Sequence, residues 1–429
     1  MPITINGLTG ISGADGSAAT PFIRGSDNDT GLYFPSAGNA AISINGSQAL
    51  LVDNNYNITT NGNVTAGNLT IAGTMTTANS NVTGTVVMSS SFKRNRIING
   101  NMVIDQRNAG ATANGSGGNK TYPVDRFYSQ LYNTTGNTTG QQSSTAPSGF
   151  TNSMKISVQT ADTSVGATDQ VWYGQDIEGF NVSDFGFGAS GAATITLSFW
   201  VYSNVTGTYC VTFKNSAQNR GYTAEYTISA SNTWEKKTIT LAGDTTGTWL
   251  TTNGAGLSVW FVLMAGSSQQ TTANTWNATS GSIATSNQVN FMSSTSNAWY
   301  ITGVQLEVGT KATPYEFVTY SEQLAQCQRY YQFADQGVSG GAVSTTVAIL
   351  NYYPPVQFRT LPTVGLTAAA KVDFPYTTNY TQSSASVSSS FASINGGINM
   401  ALTNFSGLTT YSYLVLRSDG GKLTFSAEL

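Results

Sequence analysis

The most regular alternation of apolar and polar positions runs from Tyr300 to Val308, where Tyr300, Thr302, Val304, Leu306 and Val308 stand at even spacing. A period of two sends neighbouring side chains to opposite faces, so this stretch predicts a β-strand with one face buried. Gly309 ends it, and Pro314 fixes an extended turn. Thr319 followed by Glu322 has the spacing of a capping box, predicting a short helix that runs to about Tyr331 with Leu324, Cys327 and Tyr331 as its apolar stripe. The same alternation appears at Ile195, Leu197, Phe199 and Val201, at Tyr222, Ala224, Tyr226 and Ile228, and at Val259, Phe261 and Leu263. Strands of this kind, separated by Ser, Thr, Asn and Gly turns, predict a two-sheet antiparallel domain. The segment Arg96 to Asn101 would open that domain and Val304 to Glu307 would close it, the two ends pairing. Further strands are expected at Val343 to Leu350, Thr363 to Leu366, Ile398 to Leu402 and Tyr413 to Leu416.

Ahead of this region the pattern is different. Short β-prone pieces, Ala41 to Ile44 and Leu50 to Val52, are punctuated by the turn signals Asn45-Gly46 and Asn61-Gly62. From Ile58 to Val87, Gly62, Gly67, Gly73 and Gly84 interrupt a series of single aliphatics that includes Val64, Leu69, Ile71 and Val82. Strands this short bury no apolar face within one chain, which is the logic of solenoids and intertwined oligomers; an extended linker is the alternative. The chain thus reads as all-β in three regions: a fibrous β stem over 1–92, an antiparallel β-sandwich over 93–320, and a short helix followed by a C-terminal β-sandwich tip over 321–429.

Composition narrows the function classes. Charged residues make up 9% of the 429, against about 25% in ordinary domains, while 45 glycines and 11% aromatics point to a turn-rich all-β chain and not to disorder. A net charge of −3 lacks the basic stripe that nucleic acid requires. The one basic cluster, Lys93, Arg94 and Arg96, reads as a solvated or interface feature. Cys210 and Cys327 are expected to be buried free thiols. The start carries no secretory pattern, and the longest apolar run, Val259 to Ala265, is far short of the ~18 residues of a membrane span. The absence of histidine removes His-based triads and His zinc sites. Carboxylate pairs remain, with Asp105, Asp125, Asp176, Glu178, Asp184 and Glu307 as candidates. Asp176 and Glu178 share a strand face by spacing, but such pairs are commonly just polar faces, and Asp125 with Arg126 reads as a salt bridge or turn that fastens the sandwich. No enzyme is expected. Structural Ca²⁺ is compatible with the Asp and Asn content, without EF-hand-like spacing, and no other cofactor is expected.

Several segments carry a resemblance. The run from Asn95 to Arg107, NRIINGNMVIDQR, then Val124 to Tyr128, VDRFY, then Tyr300 to Glu307, YITGVQLE, with Ala312 to Phe317, ATPYEF, and Cys327 to Tyr331, CQRYY, resembles bacteriophage tail fibre and receptor-binding proteins. The N-terminal stretches Ser17 to Tyr33 and Ser43 to Val52 are similar to attachment and shaft segments of the same fibres. The resemblance implies a carbohydrate-binding-module-like jelly roll over the central region and an N-terminus attached to baseplate or tail proteins of the virion. It also implies a parallel homotrimer and a host surface polysaccharide or lipopolysaccharide as receptor. A glycan-depolymerising tailspike and a structural virion protein without a receptor are the alternatives.

Sugars present a polar edge and an apolar face, so they are held by aromatic rings with Asn, Gln, Asp or Tyr hydrogen bonds. Trp172, Tyr173 and Gln175 lie on one expected strand, and Trp249, Trp276 and Trp299 are spread around the same domain, whereas Trp200, Trp234 and Trp260 sit within apolar alternation and read as core. In the last region Tyr352, Tyr353, Phe358, Phe374, Tyr376 and Tyr380 are set among Pro and Asn like loop or rim positions. The glycan-binding candidates are Trp172, Tyr173, Gln175, Trp276 and Tyr376.

Overall fold

Alternating side chains and frequent turn residues produce antiparallel sheets throughout. The computed structural model describes residues 4–6, 10–12, 15–63, 93–278, 281–374, 378–384, 386–392 and 397–429. The chain divides into two units, Met1–Val86 and Val87–Leu429. Among the described residues no helix is long and apolar enough to cross a membrane.

In the first unit, Ile23–Arg24, Gly31–Tyr33, Ala40–Ile44, Ser47–Val52 and Ile58–Thr60 form a five-stranded antiparallel meander in sequence order. Asn45 and Gly46, with φ of 51° and 70°, make the tight turn that their sequence predicts. Registered pairs set Ile23, Leu32, Ile42, Leu50 and Thr60 in one row across the sheet. Ile42 and Ile44 are 43% and 52% exposed, so this face is aliphatic and open. Tyr33 and Ala41, on the opposite face, are buried. The quasi-repeat read as a stem lies outside the described residues from position 64 to 92.

The second unit opens with a sandwich of thirteen strands: β1 (Ala113–Gly115), β2 (Thr121–Val124), β3 (Phe127–Tyr132), β4 (Asn137–Ser143), β5 (Ser153–Thr160), β6 (Gln170–Glu178), β7 (Ile195–Ser203), β8 (Gly207–Lys214), β9 (Gly221–Ile228), β10 (Glu235–Leu241), β11 (Ala255–Ala265), β12 (Trp276–Asn277) and β13 (Ala298–Val308). One sheet has the order β12-β9-β8-β11-β6-β3-β2 and the other β10-β7-β13-β5-β4-β1. Their inner faces share one core, in which Ile195, Leu197, Phe199 and Val201 of β7 meet Val259, Phe261 and Leu263 of β11. These are the positions that the alternation selects.

The alternation in β13 does not run unbroken. Trp299 and Ile301 are buried, and so are Val304 and Leu306, so the inward phase shifts by one residue between them. A register shift of the β7 pairing spans Gly303, whose φ is +61° and where a Cβ would come within 2.7 Å of Phe150. Such a bulge places two residues opposite one and moves the side-chain period by a step. Tyr300 and Thr302 accordingly face away from the sandwich core that an unbroken period would give them.

The ends of the sandwich meet as expected, half through backbone bonds and half through a side chain. Arg96 N donates to Leu306 O at 2.9 Å and Val304 N to Gly100 O at 2.9 Å. Between them Asn95 donates from Nδ2 to Val304 O and accepts from Leu306 N, each at 3.0 Å. The helix α1 (Tyr320–Gln328) follows, its N-cap Thr319 accepting from Glu322 N at 3.3 Å. It ends earlier than the periodicity suggests because Tyr331–Ala334 is already a strand. That strand joins Leu423–Ser426 and Thr363–Leu366 in a three-stranded sheet. A seven-stranded sheet, including Ala348–Tyr352, Ile398–Leu402 and Tyr413–Leu416, packs on it around Leu350, Met400, Leu414 and Phe425. Val343 to Val347 forms the turn of a hairpin ahead of Ala348, not the start of the strand.

The two β domains of this unit are joined by buried charge. Arg126 is 2% exposed, pairs with Glu428 and lies 3.6 Å over the Tyr330 ring. Arg107 reaches Glu428 at 2.8 Å and sits between the rings of Tyr122 and Tyr331 at 4.2 and 3.8 Å. Glu178 of β6 takes Arg329 at 2.6 and 2.9 Å and the Tyr330 hydroxyl at 2.8 Å. Replacing Glu428 by Gln leaves the buried Arg126 guanidinium without a carboxylate, while Arg107 keeps Asp125 at 3.5 Å, a loss of about 3 to 5 kcal/mol for a pair of this kind. Denaturant unfolding of Glu428→Gln is expected to shift by that amount, and a change below about 1 kcal/mol, the range of exposed pairs, contradicts the assignment.

Candidate functional site

Strand β6 divides the expected sugar contacts between two faces. Tyr173 is fully buried in the core, its hydroxyl 2.6 Å from Thr138 Oγ1. Gln175 is buried too, holding Ile98 through N–H and C=O at 2.9 and 2.8 Å. Adjacent residues on a strand point oppositely, so Trp172 faces away from that core, and Tyr173 and Gln175 are structural residues and not surface contacts. Trp276 packs against Phe187, Trp249 and Tyr222 and donates from Nε1 to Ala242 O at 2.8 Å; it completes the edge of the sandwich core. Tyr376 lies outside the described residues. Of the other tip aromatics, Tyr352 stacks on Phe425 at 4.3 Å and Phe358 is buried, so these two are core, while Tyr353 is 74% exposed.

On its outer face Trp172 stacks on Trp260 of β11, with centroids 4.1 Å apart and planes at 19°. Trp260 therefore does not belong to the sandwich core, contrary to its apolar setting in the sequence. Gly174, its direct partner across the strands, permits this: a Cβ there would stand 2.8 Å from Trp260 Cδ1. A second apolar cluster forms around the pair from Tyr128, Cys210, Val262, Ile283 and Ala284. The segment carrying Ile283 and Ala284 is pinned across the sheet by Gln288, which accepts from Cys210 N at 2.8 Å and donates to Val262 O at 3.2 Å.

Beside the indole pair is a hollow of about 230 Å³. Its walls carry Trp172 and Trp260, its rim Gln130, Tyr132, Gln170 and Gln218, and Lys214 lines it from the end of β8. The volume is below the ~300 Å³ at which drug-sized sites begin, a size for a small ligand unit. Trp172 Nε1 and Lys214 Nζ are buried and have no hydrogen-bond partner among the described residues. Trp260 Nε1 also makes no bond of ordinary geometry, although it lies close enough to the Tyr128 hydroxyl to influence its titration. That hydroxyl is committed to Asp176 Oδ2 at 2.7 Å. Burial alone pulls the Lys214 amine down to about 8.

The carboxylates considered for chemistry are engaged in fastening. Asp176 takes Lys120, Tyr128 and Ser258 within 2.7 Å, and Glu178 takes Arg329 and Tyr330. Asp125 accepts from Gln106 N at 3.0 Å, and burial raises its pKa although Arg107 opposes the rise. Asp105 closes a turn through Asn108 N and Gly110 N, Asp184 pairs with Arg96 at 2.6 Å, and Glu307 accepts from Thr313 N and Oγ1 at 2.9 and 2.7 Å. Lys93 lies 3.5 Å from Glu322. Cys210 and Cys327 are buried and free. Among the described residues no group of three or more Cys, Asp or Glu side chains is gathered as a metal site.

Sequence reasoning selected Trp172 but missed Trp260, Lys214, Gln130, Tyr132 and Gln218. One signal was present: Ala255 to Ala265 is apolar on both faces, unlike a strand with one solvated side. The pairing that brings β8 and β11 beside β6 is long-range and leaves no local trace.

No family model and no curated protein matches the chain. Among solved structures, the chain is similar to the enzymatically active domain of tailspike protein 4 of bacteriophage CBA120, at 12% identity and TM-score 0.25, over 50% of this chain and 21% of that one. It is also similar to a family 11 carbohydrate-binding module of a Clostridium thermocellum cellulosomal cellulase, at 11% identity and TM-score 0.24, over 46% and 99% of the two chains. A third similarity is to the N-terminal cellulose-binding domain of a Cellulomonas fimi β-1,4-glucanase, at 11% identity and TM-score 0.20, over 43% and 90%. The chain spans about a fifth of the tailspike's length. At overlap this low, function has to be argued from the residues themselves.

The lowered Lys214 pKa has a consequence for stability. The unfolded lysine titrates near 10.5 and the folded one near 8, so between those values the unfolded state binds more protons and stability rises with pH. The penalty of holding the buried charge is fully present below pH 8 and is relieved as pH climbs to 10.5. From pH 7.5 to 9.5 the wild type is expected to gain about 2 kcal/mol relative to Lys214→Met in denaturant titrations. Parallel pH profiles for the two proteins contradict this.

Proposed function

We propose that this chain is a phage tail fibre protein that binds a host cell-surface glycan through the hollow beside Trp172 and Trp260, without cleaving it. The carrying observation is a small cavity that joins an indole wall to buried N–H groups with no partner among the described residues. A sugar ring offers the apolar face and hydroxyl acceptors that such a wall and such donors lack. The neutral amides of Gln130, Gln170 and Gln218 at the rim suit hydroxyl groups. Binding without cleavage is supported by the engagement of Asp176 and Glu178 in ion pairs within the fold. The assignment to a virion tail fibre rests on the sequence segments that resemble those proteins.

A parallel homotrimer belongs to the same reading. The first unit has an aliphatic row on one face of its sheet, with Ile42 and Ile44 exposed, and further copies of the chain would cover that row. The low charge of the chain removes the repulsion that would resist such packing.

Two measurements test the proposal. On a glycan array the intact protein should bind a defined set, and Tyr132→Ala, at a 37% exposed rim position, should weaken binding several-fold while the circular dichroism spectrum stays native. Undiminished binding by both Tyr132→Ala and Trp260→Ala moves the site elsewhere. Sedimentation should report about three times the 45.1 kDa chain mass, with Ile42→Asp lowering it. A clean monomer at micromolar concentration refutes the trimer.

A further inference from the structure

Among the described residues the buried cations are Arg126 and Lys214. Arg126 has a carboxylate partner, as do the half-buried Arg107, Arg220 and Lys237. Lys214 is fully buried, and among the described residues its Nζ has no hydrogen-bond partner and forms no ion pair. Taking an ammonium group out of water costs several kcal/mol unless a partner is supplied. The backbone around it accommodates a side chain lying across the sheet: its strand partner is Gly221, where a Cβ would come within 3.2 Å of Lys214 Cε. A larger residue there would press the stem aside. Nor does the hollow supply the missing charge, for its lining has no Asp or Glu and its polar side chains are Gln, Asn, Tyr and Trp. The site is therefore positive, with unpartnered donors at a solvent-open hollow.

We infer that the ligand of this hollow is an acidic glycan, and that the carboxylate of a uronic or sialic acid residue pairs with Lys214 Nζ. This rests on the glycan-binding reading and adds the charge of the sugar to it. A carboxylate has acceptor capacity for more than one donor, so the same group meets Lys214 and the unpartnered indole N–H of Trp172 at the indole wall. A neutral sugar leaves the ammonium buried and unpaired, and a site built around a buried polar group discriminates strongly against ligands that fail to satisfy it. The loss of Lys214 is then a loss of selectivity, while the rim amides and indoles still hold the ring.

The test is titration calorimetry on the full-length protein with oligosaccharides of galacturonate, glucuronate and sialic acid, each beside its methyl ester, and with neutral oligosaccharides of matched length. The ester keeps the ring and removes the charge. At least one free acid is expected to bind about tenfold or more tightly than its ester, a difference of about 1.4 kcal/mol, and Lys214→Met is expected to abolish that ratio while binding of the ester persists. Equal affinity of acid and ester in the wild type overturns the inference whether or not the variant folds. So does a preference retained by a natively folded Lys214→Met. Binding of neutral glycans alone sinks the acidic assignment and leaves the glycan reading standing, whereas failure of every sugar sinks both.

Discussion

The ion pair between Arg126 and Glu428 fixes the arrangement of the second unit. Arg126 occupies the two-residue turn between β2 and β3 with φ of 72°, a backbone region that L-residues seldom adopt. A glycine would fit that turn without strain but could not supply a guanidinium. From this position the side chain reaches Glu428, near the end of the chain, donates to Asp176 O and lies on Tyr330 just after α1. One residue thus ties a turn of the sandwich, the strand that carries Trp172, the segment after the helix and the C-terminal tail. Each neighbour compensates its desolvation: Glu428 by charge, Asp176 by a carbonyl and Tyr330 by its π face.

This junction explains what the recognisable segments do. The run from Asn95 to Arg107 contributes Asn95 and Arg107, VDRFY contributes Asp125 and Arg126, and CQRYY contributes Arg329, Tyr330 and Tyr331. The segment ATPYEF contributes Glu316, which accepts from Asn95 N at 2.8 Å. Stretches far apart in sequence thus converge on the polar joint between the two β domains, with Asn95 and Glu316 closing the sandwich beside it, and little of this lines the hollow. A network of this kind is intolerant of partial replacement, because removing one member leaves another buried and unpaired. These segments therefore serve mainly to assemble the unit, and most residues that line the hollow lie on strands outside them.

The fold was legible where burial is one-sided. Strands β7 and β9 and the start of α1 follow from period and capping, since their side chains have a single core to satisfy, whereas β11, apolar on both faces, is legible only in its inward set Val259, Phe261 and Leu263. Three features were not legible, each for a physical reason. The bulge at Gly303 depends on Phe150 and Trp200, which crowd that position from elsewhere in the chain. Trp260 looked like core because periodicity cannot distinguish a face covered by another sheet from one covered by a crossing loop. Tyr352 and Phe358 looked like rim residues because their Pro-rich context describes the backbone, whereas the stacking on Phe425 that buries Tyr352 comes from the last strand. Lys214 was invisible since nothing in the run Thr208 to Lys214 tells which strands will flank its end.

Charge placement connects the fold to the site. With so few ionisable residues, the chain spends most of its buried ones on joints: Arg126 and Arg107 at the tail, Glu178 with Arg329, Asp176 with Lys120, and Arg220 with Asp244. In each case the buried carboxylate is met by a cation, which is itself buried at Arg126 and still partly solvated at Lys120 and Arg329. The outer face of the seven-stranded sheet follows that rule at one end, where Asp176 is saturated by Lys120, Tyr128 and Ser258. At the hollow it departs from it, leaving an amine and an indole N–H without partners against a wall of indoles. Stability alone would favour a neutral side chain at position 214, as buried charge without a partner only costs. A residue that opposes folding at its own position is best accounted for by what it meets from outside, and here the cavity beside it provides the room.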